Sequence, residues 1–200
     1  MINIPTNRLV DISMKQNKHD KILWVAAKLI KEKGFKGTSL QKIADGVGLH
    51  KSTLFHYFKN KEGLLLEILA KSIGEGNANL ERIANHNGLE PEEKLKRAIH
   101  NHLTLSMKHF DNVNIYLNEL RSLSNKTRAI HLEKRKKYEK NFVKIVRELK
   151  QKGYFHGLDL KIVGFGLLGI LNWVPKWYKS GGPLTIDEIS DIYYRMILKR

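Results

Sequence analysis

SLQKIADGVGLHKSTLFHYFKNK, residues 39–61, is the stretch that decides the fold. Apolar side chains recur at helical spacing over residues 39–45, which predicts a short amphipathic helix. Gly46 and Gly48 then interrupt the pattern, and glycine readily adopts the positive φ angle of a chain leaving a helix. A second short helix begins near His50. Two short helices joined by a tight, glycine-containing turn are typical of a helix-turn-helix unit and predict DNA binding.

The start of the second helix carries the candidate sequence readout. Its side chains are those of His50, Lys51, Ser52 and Thr53, which are polar or basic and never acidic. A helix-turn-helix unit places the N-terminal residues of its second helix against base edges in the major groove. We therefore expect these four residues to face the bases. Lys51 is the best candidate for a guanine contact, because guanine presents two acceptors there.

Helical periodicity extends from this unit in both directions, and the sequence shows no strand signal of any length. Residues 18–33 form an amphipathic pattern that Gly34 ends. The next helix is capped by Asn60 and is expected to end near residues 74–76. The remaining predicted helices comprise a short segment within 77–88, a long helix beginning near Pro91, and helices over 112–123, 126–152, 160–178 and 185–200. The chain is therefore predicted to be all-α, with about nine helices.

The same pattern divides the chain into two domains. Residues 1–62 form the predicted helix-turn-helix domain, and residues 63–200 form a helical body. Residues 1–17 lack periodicity and are expected to be a mobile arm or an extension of the first helix. With 42% apolar residues, a chain of 200 residues can bury a substantial core.

The positive charge is concentrated in two places. The net charge is +16, and residues 1–63 carry 12 basic and 5 acidic side chains. Residues 126–152 carry a further 11 basic and 3 acidic side chains. A basic N-terminal domain fits phosphate contacts, whereas a lysine-rich solvated surface is the simpler alternative. The helix-turn-helix pattern favours nucleic acid.

Several other functional classes find no support in the sequence. There is no cysteine, which excludes disulfides, cysteine-based metal sites and thiol catalysis. The nine histidines form no cluster with metal-ligand spacing. The N-terminal residues lack the apolar core of a secretory signal, and no apolar run reaches the ~20 residues of a membrane span. We expect neither an enzyme nor a bound cofactor or metal.

The helix-turn-helix stretch also resembles the N-terminal signature of TetR-type transcriptional repressors. The resemblance spans residues 26–66 and rests on Thr38-Ser39, Ile43-Ala44, Gly48-Leu49, and KSTLFHYF at 51–58 followed by KNKE at 59–62. Three residues depart from the signature. His50 stands where the family usually has the serine N-cap, and Ser52 stands for glycine. Phe55 replaces a tyrosine whose hydroxyl commonly contacts a phosphate.

The resemblance implies a second set of DNA contacts, made to the sugar–phosphate backbone rather than to bases. These residues are Thr38, Phe55, His56 and Lys61. Such contacts fix the position of the protein on DNA without reading its sequence. Lys61 lies in the first turn of a helix, where a cation opposes the helix dipole unless a phosphate compensates it. A solvated lysine is the alternative for that position.

The body contains candidates for an apolar effector pocket. Apolar and aromatic side chains recur on its helices, and the candidate lining is Leu103, Met107, Phe110, Tyr116, Leu167, Leu171, Trp173 and Trp177. Aromatic residues at helical spacing usually fill a core. The sequence leaves both a hollow pocket and a filled core open.

Parts of the body resemble one branch of TetR-type regulators, which includes repressors of fatty-acid and sterol degradation that respond to acyl-CoA thioesters. The resemblance rests on NWVPKWY at 172–178, GGPLT at 181–185, Glu188-Ile189, YLNE at 116–119 and RKKYE at 135–139. It implies a cytoplasmic homodimer in which helices 160–178 and 185–200 form a four-helix bundle across the two-fold axis. It also implies an acyl-CoA or related lipid effector. The basic 126–152 helix could serve CoA phosphates, face DNA, or simply be solvated.

The resulting hypothesis is a homodimeric, ligand-responsive repressor that binds a palindromic operator. One alternative is a TetR-type repressor that senses drugs or other small hydrophobic molecules. Basic residues at the entrance of the body's cavity would favour acyl-CoA as the ligand. A closed cavity lined by aromatic side chains would favour a drug or another small hydrophobic molecule. The alternative from another class is a helical lipid-binding protein without a DNA role, which leaves the basic N-terminal domain unexplained.

Overall fold

The computed structural model describes residues 18–199, apart from the side chains of Ser72, Asp111, Val113, Asn114, Tyr116 and Leu117. The predicted arm at residues 1–17 lies outside this range. The described chain forms α1 (Lys18–Gly37), α2 (Leu40–Val47), α3 (Lys51–Leu54), α4 (Lys61–Ala84), α5 (Pro91–Lys108), α6 (Phe110–Glu119), α7 (Asn125–Gln151), α8 (Leu160–Trp177) and α9 (Ile186–Leu198). No strand occurs within these residues, which confirms the all-α prediction.

The short helices at the N-terminal end begin and end where their capping residues predict. Ser39 accepts a hydrogen bond from the backbone N–H of Lys42 and so caps α2. Gly48 ends α2 in the left-handed conformation, with a φ of 71°. Gly34 also has a φ of 71°, and it kinks α1 one residue after the predicted end of that helix.

Gly46 differs from the prediction, because it lies inside α2 rather than at a break. A Cβ atom at this position would come within 2.8 Å of Cγ1 of Val25 on α1. The residue therefore allows α2 to approach α1 closely, and the sequence pattern misassigned that role to the turn. The turn itself depends on Gly48.

The structure also corrects the length of α4. The predicted end near residues 74–76 is wrong, since the helix continues through Gly74 and Gly76 to Ala84. A Cβ atom on Gly76 would lie 3.3 Å from the ring of Tyr138 on α7. The glycine therefore marks a close contact between two helices, and burial of Leu80 and Ala84 keeps the helix intact beyond it.

Two hydrophobic cores divide the molecule, and α4 contributes to both. The first core joins α1, α2, Leu54 of α3 and the first turns of α4, with Ile115 and Leu123 closing it. The second core lies among the later part of α4 and helices α5, α7, α8 and α9. One continuous helix thus connects the helix-turn-helix region to the body. The predicted division at residues 62 and 63 falls in its first turn and stays a prediction.

None of the helices between residues 18 and 199 combines the length and apolarity needed to cross a membrane. The most apolar of them, α8, begins at the Asp159 cap and retains Pro175 in its last turn. Its apolar surface is divided between the second core and an exposed face, which belongs to the candidate site described below.

Candidate functional site

The predicted base-reading residues lie together at the start of α3. His50 is the N-cap, with extended backbone angles and no side-chain capping hydrogen bond, as its departure from the usual serine predicted. The side chains of His50, Lys51 and Ser52 are exposed, and that of Thr53 is partly so. Leu54 is buried on the opposite side and anchors the helix in the first core. Only four residues of α3 are helical, which is shorter than the sequence pattern indicated.

Phe55 and His56 follow this helix in a turn. Both side chains are exposed, and Phe55 leaves 51% of its surface accessible. Phe58, two residues after His56, is buried and fixes the turn to the first core. The two exposed residues therefore project from a firmly anchored segment.

Thr38 and Lys61 have a different environment from the one expected for phosphate contacts. The Thr38 side chain is buried, and its hydroxyl donates to the carbonyl oxygens of Leu29 at 3.2 Å and Gly34 at 2.9 Å. Lys61 Nζ donates to the carbonyl oxygens of Phe35 at 2.8 Å and Thr38 at 2.9 Å. These bonds give both side chains a role in holding the turn between α1 and α2. Their contact with DNA stays a prediction.

Lys61 also lies over an aromatic ring. Its Nζ atom is 4.3 Å from the centroid of the Phe35 ring, a distance typical of a cation–π contact. The ammonium group is therefore satisfied by two carbonyl oxygens and a ring, all from the segment that precedes α2. No local sequence pattern indicates this arrangement, because its partners lie 23 and 26 residues away.

Glu62, the next residue, makes the corresponding connection to the body. Its carboxylate accepts hydrogen bonds from the backbone N–H of Ser124 at 3.1 Å and from the Ser124 and Thr127 hydroxyls at 2.7 Å each. These hydroxyls hold the pKa of the Glu62 carboxyl below its ordinary value. Ser124 is the N-cap of α7. We call Lys61 and Glu62 together the α4 junction. Both lie in the first turn of α4, and their hydrogen bonds connect this turn to the helix-turn-helix and to α7.

A cavity of about 230 Å³ lies among α4, α5, α7 and α8. Its lining combines apolar side chains with polar groups from all three later helices. The residues are Leu69, Ile73, Gly76, His102, Leu105, Ser106, His131, Arg135, Tyr138, Glu139, Phe165, Leu168, Gly169 and Asn172. The body therefore contains a hollow between its helices, an alternative that the sequence had left open.

The predicted pocket residues lie on the same helices but outside this lining. Leu103, Leu167 and Leu171 fill the second core. Met107 and Phe110 are partly buried, and the Phe110 ring lies under Lys31 Nζ at 5.3 Å. Trp173 and Trp177 are exposed, with 63% and 43% of their surfaces accessible. The side chain of Tyr116 lies outside the described set. The prediction selected apolar residues, whereas the cavity uses an adjacent helix face that is partly polar.

The cavity wall contains two imidazoles that are uncharged at neutral pH. Burial lowers the pKa of His102 to about 4, and the neighbouring Asn172 side chain opposes this shift. Burial, together with the positive charges of Arg135 and Lys134, lowers the pKa of His131 to about 4. His102 Nδ1 lies 2.9 Å from the Tyr138 hydroxyl, whose pKa burial raises. The wall thus offers neutral hydrogen-bonding groups.

Cations lie at the exposed edge of the cavity. Arg135 is exposed and pairs with Glu139, one turn further along α7. Lys161 Nζ lies 5.6 Å from the centroid of the Phe165 ring, which is itself partly exposed. Lining residues of α7 and α8 therefore lie beside positively charged groups. Because Glu139 also lines the cavity, the charge of Arg135 is compensated within the lining.

Exposed apolar side chains lie on both α8 and α9. The exposed apolar residues on these two helices are Ile162, Trp173, Trp177, Ile192 and Met196, whereas the exposed Phe165 lines the cavity. Gly166 and Gly169 lie on the same helix, and a Cβ atom at either would meet nothing within 4 Å. Exposed apolar patches of this kind mark interaction surfaces, and the glycines allow another helix to approach closely. We call this surface the α8–α9 face.

Among the described residues, no group of histidines and carboxylates is arranged to hold a metal ion. Glu75 accepts from Lys108 at 2.7 Å and contacts His109 Nε2 at 2.8 Å, which forms a local ion pair cluster between α4 and α5. Its hydrogen bonds to these two residues lower the pKa of Glu75. This cluster packs the body and lies outside the cavity lining.

Comparison with known proteins identifies both parts of the chain. Residues 22–68 match the family described as bacterial regulatory proteins, tetR family, and residues 88–200 match the tetracyclin repressor-like C-terminal domain. The HTH-type transcriptional repressor KstR2 of Mycobacterium tuberculosis is 28% identical over 185 residues, which cover 91% of this chain and 92% of the relative.

Two solved structures superimpose along most of the chain. The TetR family transcriptional regulator PfmR from Thermus thermophilus has a TM-score of 0.81 and 32% identity, covering 90% of this chain and 100% of that chain. AibR, solved in complex with isovaleryl coenzyme A and operator DNA, has a TM-score of 0.80 and 30% identity, covering 90% of this chain and 98% of that chain. The chain therefore belongs to the TetR family of bacterial transcriptional regulators.

Proposed function

We propose that this protein is a cytoplasmic, homodimeric repressor whose affinity for a palindromic operator is controlled by an acyl-CoA thioester. The observation that carries the proposal is the partly apolar cavity in the body, with the Arg135–Glu139 pair in its lining and Lys161 beside its Phe165 ring. An acyl chain needs an apolar enclosure, and the phosphates of CoA need positive charge outside it. The alternative effector, a neutral drug-like molecule, uses only the first of these features.

The α3 residues supply the proposed base contacts. His50, Lys51, Ser52 and Thr53 are presented by a helix whose buried side is anchored at Leu54. Phe55 and His56 follow, are exposed, and would contact the DNA backbone. Thr38 and Lys61 would act mainly by positioning α2, because their polar atoms are bonded within the protein.

The α8–α9 face supplies the proposed dimer contact. A second copy packed against this face would remove several large apolar side chains from water, including Trp173, Ile192 and Met196. Self-association through identical surfaces gives a two-fold dimer, which matches the symmetry of a palindromic operator. Its two α3 helices would enter successive major grooves about 34–36 Å apart, or slightly further.

The α4 junction supplies the proposed connection between cavity and DNA. Thr127, His131 and Arg135 lie on one face of α7, because residues four apart lie one turn from each other. Thr127 bonds Glu62, whereas His131 and Arg135 line the cavity. Movement of α7 around a ligand would therefore reach the first turn of α4. A ligand changes operator affinity only to the extent that it binds one of the two states more tightly.

The relatives support acyl-CoA as the effector class. AibR was crystallised with isovaleryl coenzyme A and operator DNA, and the Bacillus subtilis fatty acid metabolism regulator protein is 26% identical over 189 residues of this chain. The helical lipid-binding alternative without a DNA role does not fit a chain whose N-terminal residues match a regulator family.

A gel shift with acyl-CoA tests the proposal. A duplex selected from random DNA by the purified protein is the operator probe, and the added ligands are isovaleryl-CoA, a long-chain acyl-CoA, free CoA and the free fatty acids. We expect at least one thioester to release the duplex at tens of micromolar, whereas free CoA and the free acids do not. Retention of the shift with all thioesters would remove the effector assignment. Failure to select any duplex would contradict operator binding itself.

A further inference from the structure

His102 has one ring nitrogen whose hydrogen bond is accounted for and one whose hydrogen bond is not. Nδ1 lies 2.9 Å from the hydroxyl of Tyr138 on α7. Nε2 is buried and makes no hydrogen bond of ordinary length and angle, although the Asn172 side chain lies close enough to bond the ring and so opposes the lowering of its pKa. Buried polar atoms are nearly always hydrogen-bonded in folded proteins. A nitrogen of this kind in the wall of a cavity is available to a molecule that enters the cavity.

The neighbouring phenol determines which kind of atom this partner must be. Burial keeps the Tyr138 hydroxyl protonated and the His102 ring neutral at physiological pH. A neutral imidazole has one donor and one acceptor nitrogen, and a phenol is a good donor. When the Tyr138 O–H donates to Nδ1, the ring proton resides on Nε2. The pair then offers an uncharged N–H donor to the cavity.

We propose that His102 Nε2–H donates a hydrogen bond to the acyl carbonyl oxygen of a bound thioester, with Tyr138 holding the ring in the required tautomer. The inference rests on the proposed function and adds the feature of the ligand that the cavity recognises. A carbonyl oxygen is the acceptor that a thioester presents beside its acyl chain. A neutral donor suits this uncharged oxygen, whereas the carboxylate of a free acid would require a cation. The cationic Arg135 lies at the exposed edge and pairs with Glu139.

A matched pair of ligands tests this inference without relying on a variant. The probes are a short-chain acyl-CoA and the S-alkyl-CoA thioether of equal chain length, which lacks only the carbonyl oxygen. Isothermal titration gives the affinity of the full-length protein for each. We expect the thioester to bind about tenfold more tightly, because the thioether leaves the Nε2–H group unpaired. Equal affinities would overturn the inference and leave the effector class intact.

Three variants assign the preference to the ring. His102→Phe removes the donor and should bring the thioester-to-thioether ratio close to one. His102→Gln keeps an N–H donor and should retain part of the preference. Tyr138→Phe removes the hydroxyl that fixes the tautomer of the His102 ring, and it should give an intermediate thioester-to-thioether ratio. A His102→Phe variant that keeps the full preference would overturn the inference. Operator binding and circular dichroism establish that each variant is folded.

Absence of binding has a separate meaning. If the wild-type protein binds neither the thioester nor the thioether, the proposed effector class fails and the inference fails with it. If it binds both, only the ratio of affinities matters for His102. The two proposals are therefore distinguished by one pair of titrations.

Discussion

The ammonium group of Lys61 lies between two carbonyl oxygens and above the Phe35 ring. We predict that Lys61→Met weakens operator binding by loosening the turn before α2, while the dependence of log affinity on log salt keeps its slope. Lost hydrogen bonds from a charged group should also lower the free energy of unfolding by about 1.5–3 kcal/mol.

Lys51→Ala provides the matched contrast, because Lys51 is exposed at the start of α3. Its removal should relax the preference at one base pair and lower the salt slope by about one, as expected for a lost cation at the DNA surface. Fluorescence anisotropy at several salt concentrations measures both slopes. A slope reduced by about one in Lys61→Met would show that Lys61 meets a phosphate directly.

The buried imidazole of His131 makes stability depend on pH. Its folded pKa of about 4 lies below the ordinary value of 6.5, so the unfolded chain binds more protons between these values. Stability should therefore rise with pH through this window and fall on acidification. From pH 7 to pH 5 the loss should be about 2 kcal/mol for this group.

Urea unfolding at pH 7 and pH 5 measures this loss. His131→Leu should reduce the difference between the two pH values, while His156→Gln should leave it unchanged because that side chain is exposed. The Glu62 carboxylate changes this comparison little, since its depressed pKa affects stability mainly below its ordinary value of 4.5. An unchanged pH dependence in His131→Leu would contradict the assignment of a neutral buried ring.

At the scale of elements, the first turn of α4 connects the two halves of the molecule. We predict that Glu62→Gln weakens the connection to α7, since an uncharged amide accepts hydrogen bonds from Ser124 and Thr127 less strongly than a carboxylate. The variant should still bind operator and acyl-CoA, but the thioester should reduce operator affinity by a smaller factor. A typical coupling free energy is about 1–3 kcal/mol.

Operator affinities with and without saturating thioester measure this factor. Glu133→Gln is the control, because Glu133 pairs with Lys136 on the exposed side of α7. That variant should respond like the wild type. A Glu62→Gln variant with the full wild-type response would show that the α4 junction does not carry the coupling.

The elements also show what the sequence could predict. Gly48 and Asn60 are local caps, and each occupies the helix end that the sequence predicted. The predicted end of α4 is wrong because Gly74 and Gly76 are residues that often end a helix. In the structure, Gly76 instead allows close contact with Tyr138.

The site could be predicted only in part, because local patterns do not show contacts between residues far apart in the chain. The α3 residues follow from one local motif. The cavity lining and the bonds of Lys61 and Glu62 depend on packing between residues far apart in the chain. An apolar pattern cannot distinguish a residue that fills a core, such as Leu103, from its polar neighbour Ser106, which faces the cavity.

At the scale of the whole molecule, the family match confirms a transcriptional regulator rather than an enzyme. The dimer remains a proposal with a direct test. We predict that Trp173→Glu combined with Met196→Glu yields a folded monomer, because both side chains are exposed on the α8–α9 face. Analytical ultracentrifugation measures the mass, and circular dichroism the helix content.

The same variant should lose most of its operator affinity, because a monomer can occupy only one half-site. Trp24→Glu is the control, since Trp24 is also an exposed tryptophan but lies on α1, away from the α8–α9 face. That control should remain dimeric. A double variant that stays dimeric would place the subunit interface elsewhere.

The central claim is that one thioester-binding site and one operator-binding site are energetically linked. Linkage requires each ligand to change the affinity for the other by the same factor. The decisive measurement is therefore the affinity for the acyl-CoA that releases the operator, determined by titration with and without saturating operator duplex. We predict that the duplex weakens acyl-CoA binding by the factor by which acyl-CoA weakens duplex binding. Equal acyl-CoA affinities in the two titrations would contradict the account.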